Sequence, residues 1–146
     1  MWGGTYSTHS EPLIVLQKKL IRIIHGKLYL CPTDELFYES KLPKFPDIYL
    51  LNLGIFMYLN CDEPTFQRNI VYNTRQSHHL NPSYQRLELT QRSVTCRGPN
   101  FWNSLTVELQ NSSSLPVFKR NLKRDLISKY LRLISLIFCV LFGNFM

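Results

Sequence analysis

At 146 residues, with 45% hydrophobic and 13% aromatic residues, the chain can build one packed domain and is too apolar to be intrinsically disordered. A formal net charge of +7 and a pI near 9.4 favour an anionic partner, nucleic acid first and an acidic membrane surface second. Cys31, Cys61, Cys96 and Cys139 form no C-x-x-C pair, which excludes a zinc knuckle or a dithiol redox motif by spacing.

The opening segment, MWGGTYSTHSEPL, has neither a basic n-region nor an apolar h-region. An intracellular location, nuclear or cytoplasmic, is therefore expected, and the four thiols are expected to be reduced and structural. PLIVLQKKLIRIIH predicts a first helix over 12–25, with Ser10 as its cap, Pro12 in its first turn and Gly26 as its stop. Leu13, Leu16, Leu20 and Ile24, with Ile14 and Ile21 beside them, make a broad apolar stripe. Such a stripe suits packing against another domain, and left exposed it drives self-association. Lys18, Lys19 and Arg22 fall on the other side, either as a solvated face or as phosphate ligands.

CPTDELFYESKL predicts a short second helix capped by Thr33, with Asp34 and Glu35 in its first turn. After breaks at Pro43 and Pro46, DIYLLNLGIFMYLN predicts a third helix over 47–60, apolar nearly all round and so buried. With about 14 residues it is too short to cross a bilayer.

Residues 61–99 are polar, basic and rich in turn formers. Leu87, Leu89, Val94 and Cys96 alternate with period two, which predicts one or two strands. Arg68, Arg75, Arg86, Arg92 and Arg97 are interleaved with Tyr72, Tyr84, His78 and His79. Guanidinium groups beside aromatic rings suit phosphate binding and base stacking. The same arginines can instead pair with Asp62, Glu63 and Glu88 in a surface loop.

Gly98-Pro99 is expected to form a turn before the short helix NFWNSLTVEL, which delivers Phe101, Trp102 and Leu105 into the core. After the serines at 112–114, Pro116 opens PVFKRNLKRDLISKYL, a helix whose stripe is Phe118, Leu122, Leu126 and Tyr130. Lys119, Arg120, Lys123, Arg124, Lys129 and Arg132 face one acid there, Asp125. This is the most one-sided charge in the chain, fit to lie along a phosphate backbone or on an anionic membrane. The apolar tail from Leu133 has about 14 residues against the roughly 20 that span a bilayer.

No Gly-rich phosphate loop, H-E-x-x-H or G-x-S-x-G occurs. Asp34/Glu35 and Asp62/Glu63 are first-turn and loop acids rather than a catalytic pair. His78 and His79, being adjacent, diverge on a strand. No enzyme activity, metal site or cofactor is expected.

The ordered signposts resemble the region after the polymerase core in non-LTR (LINE-type, jockey-like) retrotransposon reverse transcriptases. WGGTYSTHSEPLIVLQKKLIRII is similar to that family's first such segment, and CPTDELFYESKLPKFPDIYLLNLGIFMY to its next. YNTR at 72–75, RGPNFWNSL and SLPVFKRNLKRDLISKY follow in order, so the resemblance covers about Trp2 to Tyr130. The Y-x-D-D polymerase palm and the endonuclease of that family are absent.

The resemblance therefore implies a non-catalytic carboxy-terminal module over 1–130, followed by an apolar tail over 131–146. The expected fold is mainly α, a helical thumb-like module with a small β-hairpin or irregular basic insertion. The implied role is non-specific binding of an RNA or DNA backbone. Lys119, Arg120, Lys123 and Arg124 would lead, then Arg75, Arg86, Arg92 and Arg97, then Lys18, Lys19 and Arg22. Phe101, Trp102, Leu105 and Phe118 would form the structural core. The alternatives are a membrane or protein-interaction module using 119–146, self-association included, or a translated remnant without function.

Overall fold

A computed structural model describes residues 7–66, 79–82 and 85–142, with the backbone course alone for 131–142. The chain is mainly helical, and no strand occurs among the described residues. Helices α1 (Ser7–Ile24), α2 (Asp34–Glu39) and α3 (Phe45–Asn60) come first. They are followed by α4 (Glu88–Gln91), α5 (Val94–Asn103), α6 (Val107–Gln110) and α7 (Leu115–Phe142). The chain divides into two compact units, one formed by Tyr49–Leu122, the other by Tyr6–Ile48 with Lys123–Met146.

The second unit begins with α1, which starts at Ser7 and so carries Ser10 and Pro12 inside it, not at its start. Gly26, at φ 60°, stops it as expected. The Gly26 N–H bonds the Ile23 carbonyl and the Lys27 N–H the Arg22 carbonyl, so two otherwise orphaned acceptors are satisfied. The same two-bond ending closes α2, with Lys41 N–H on Tyr38 and Leu42 N–H on Phe37. There the left-handed position, φ 52°, falls on Lys41, which is not a glycine.

Thr33 occupies the position before α2, but its backbone is helical and its side chain makes no capping bond; it is buried instead. Ile21, Leu36, Phe37, Ile127 and Tyr130 form this unit's apolar cluster, with Cys31 packed against it. Gln17 latches the chain entering α3: its amide N–H₂ donates to the Pro43 carbonyl at 3.0 Å, and its Oε1 accepts the Phe45 N–H at 2.9 Å. Pro46 stands in the first turn of α3, where no N–H is required, and so helps start the helix instead of breaking the chain.

The first unit is built on the apolar body of α3. Leu53, Met57, Phe118 and Leu122 are fully buried, joined by Cys96, Trp102, Leu105 and Leu109. Each such side chain contributes about 1.5–3 kcal/mol. Three of the four expected core residues, Trp102, Leu105 and Phe118, are buried; Phe101 is half-buried, with its ring against Gly54.

Residues 87–96 are not strands. Leu87 and Ser93 are extended residues preceding α4 and α5, and Leu87 and Leu89 are exposed. Their alternation spans two helix starts, and with no partner strand among the described residues it has nothing to pair with. Nor is Gly98-Pro99 a turn: both residues are buried inside α5. A Cβ at Gly98 would collide with Met57 Sδ, so glycine is needed there for helices to approach closely.

Candidate nucleic-acid interface

Aromatic packing fixes the start of α7. Phe118 stacks on Tyr58 with ring centres 4.7 Å apart and meets Trp102 at 5.8 Å, while the Tyr58 hydroxyl donates to the Ser112 carbonyl at 2.9 Å. With Phe118 and Leu122 buried, helical spacing turns Lys119 and Arg120 outward, and both are exposed.

In the second unit the corresponding anchors on α7 are Leu126, Ile127 and Tyr130. Arg124 is exposed there and Lys123 half-buried. Lys129 is exposed and pairs with Asp125 at 3.3 Å, which reduces the net charge it offers a ligand.

Tyr130 fixes this part of the helix through its hydroxyl. The group donates to Asp47 Oδ2 and accepts the Lys44 N–H at 2.8 Å. The Lys44 ammonium lies 4.2 Å from the Tyr130 ring centre and pairs with Asp34 at 2.9 Å. Burial, then the bond to Asp47, pushes the Tyr130 phenol well above the ordinary tyrosine range, so it stays a proton donor.

The remaining bases differ in availability. Lys18 and Lys19 are exposed on α1. Arg22 is engaged: its Nε donates to the Cys31 carbonyl at 3.0 Å, and its guanidinium lies 5.3 Å from the Tyr29 ring centre. Arg92 bonds Glu88 one turn away, so the surface-pairing reading holds at that arginine. Arg86 and Arg97 are exposed, Arg97 on α5. Arg68, Arg75, Tyr72, Tyr84 and His78 lie outside the described residues. The structure thus brings the basic series together on α7 and separates the arginines of 86–97 into one paired and two exposed side chains.

Two polar side chains carry roles that composition and periodicity do not signal. Asn103 grips Leu80 in both directions, its Oδ1 accepting the Leu80 N–H and its Nδ2 donating to the Leu80 carbonyl, each at 2.9 Å. The Asn81 N–H bonds the Phe66 carbonyl at 3.0 Å, so Phe66 and Asn81 meet beside this latch. Gln17 makes the equivalent reciprocal pair in the other unit.

Cys31, Cys61 and Cys96 form no disulfide, and burial together with Asp62 pushes the Cys61 thiol up. Among the described residues no three His, Cys, Asp or Glu side chains are grouped to hold a metal ion, and no helix is long and apolar enough to cross a membrane. Neither a protein-family model, nor a curated protein, nor a solved structure matches the chain.

Proposed function

We propose that the chain is a non-catalytic module descended from the carboxy-terminal region of a retrotransposon RNA-directed DNA polymerase, binding RNA or DNA backbones without sequence preference. The observation that carries this reading is the outward basic series of α7, held on an apolar stripe that is buried along Phe118, Leu122, Leu126 and Tyr130. Lys119 and Arg120 are the leading phosphate ligands, with the exposed Arg124 and the half-buried Lys123 beside them on the same helix. Arg86 and Arg97 provide secondary contacts. Arg22 and Arg92 are committed to intramolecular partners and rank last.

Lysine and arginine fixed on a helix release counterions when they meet phosphates, which supplies affinity but little sequence discrimination. The test is binding of labelled single-stranded RNA and duplex DNA by the full chain and by its K119A/R120A/K123A/R124A variant. Loss of most affinity in a variant with unchanged helicity supports the reading; equal affinity contradicts it.

A further inference from the structure

The apolar stripe of α1 faces away from the apolar cluster of its own unit. Helical spacing divides α1 into an inward line of Ser10, Ile14, Gln17 and Ile21, all partly or fully buried, and an outward line of Leu13, Leu16, Leu20, Ile23 and Ile24. Of the outward residues, Leu16 and Leu20 are half-exposed and Ile23 and Ile24 exceed 70%. Isolated surface leucines need no explanation, but five on one helix face form a patch.

The loop after α1 extends this patch. The Cys31 N–H bonds the Leu28 carbonyl at 3.0 Å, and Arg22 holds the Cys31 carbonyl and lies against Tyr29. The turn so formed leaves Leu28, Tyr29 and Leu30 exposed by 84%, 72% and 90%. Three consecutive large apolar residues are thus displayed on a braced turn.

The charge of the segment indicates what covers it. Between Thr8 and Leu30 there are four bases, Lys18, Lys19, Arg22 and Lys27, against the single acid Glu11. Lys19 follows Leu16 and precedes Ile23 by one turn, and Lys27 adjoins the exposed turn. A broad apolar face edged by lysines, continued by a Leu-Tyr-Leu turn, is complementary to a surface that is apolar inside and anionic at its rim.

We infer that α1 and the turn 28–30 form an interfacial docking surface for an anionic membrane, with α1 lying along the headgroup layer. The outward leucines and isoleucines enter the acyl boundary, Tyr29 sits at headgroup depth, and Lys19 and Lys27, at the edge of the patch, meet lipid phosphates and carboxylates. This surface uses none of the bases of the proposed phosphate-binding series on α7, and either proposal can fail without the other.

The test is co-sedimentation of the full chain with vesicles of phosphatidylcholine alone and of phosphatidylcholine with 30% phosphatidylserine. The expected result is binding to the anionic vesicles only, reduced at least ten-fold by Leu16→Gln with Leu20→Gln. A comparable loss is expected from Leu28→Ser with Leu30→Ser. All these positions on α1 and the turn are at least half-exposed, so helicity and melting temperature should not move. In addition, a Leu30→Trp chain should be quenched by brominated lipid in the anionic vesicles. Three results each overturn the inference: equal binding to neutral vesicles, binding that survives both double substitutions, or no vesicle binding by a chain whose dimer is broken by Leu16→Gln with Leu20→Gln.

Discussion

The hydroxyl of Tyr130 donates to the carboxylate of Asp47 and accepts the backbone N–H of Lys44, so one buried phenol ties α7 to the chain that enters α3. The residues are 83 and 86 positions apart in sequence. Tyr130→Phe should therefore leave the Lys44 N–H and the Asp47 carboxylate short of a partner and cost about 1–3 kcal/mol, measured by urea denaturation.

The same phenol sets a pH dependence. Its pKa is raised in the folded state from an ordinary value of 10.0, so its contribution is complete below pH 10 and is lost as pH rises beyond that. The native chain should lose stability steeply above pH 10, and Tyr130→Phe should show a shallower decline there. Parallel slopes for the two proteins would contradict the assignment.

Asn103→Ala should remove both hydrogen bonds to Leu80 and cost about 1–3 kcal/mol. Amide exchange at Leu80 should accelerate most, because its N–H loses its acceptor. Exchange at Asn81, whose N–H bonds Phe66, should rise less.

Two backbone positions call for opposite substitutions. Gly98→Ala places a methyl group against Met57 and should destabilise by about 1–3 kcal/mol, as overpacking does. Lys41→Gly relieves a left-handed lysine at the end of α2 and should stabilise by a few tenths to about 1 kcal/mol. Thermal melts of the two variants should therefore move in opposite directions.

Helices were legible wherever apolar spacing and a stop signal coincided. Gly26 ends α1, and the Phe118 to Tyr130 stripe of α7 is buried throughout. The direction of α1 was not legible: periodicity identifies an apolar face, but whether that face meets core or solvent depends on what the rest of the chain supplies. Residues 94–99 misled for another reason. Gly98-Pro99 carries the local chemistry of a turn, yet both residues lie within α5, where the missing Cβ of Gly98 leaves room for Met57. Bases were visible as a series, whereas the occupation of Arg22 by Cys31 and Tyr29 is a tertiary fact with no local signal. Gln17 and Asn103 were hidden likewise, since each amide acts on backbone distant in sequence.

Phosphate binding by α7 is tested most directly by the salt dependence of duplex DNA binding, from 50 to 200 mM monovalent salt. The four α7 bases contribute about −3 to −4 to the log–log slope, and K119A/R120A/K123A/R124A should flatten it by about that amount. A slope that is already flat in the full chain, or one that the variant leaves unchanged, would contradict binding through these bases.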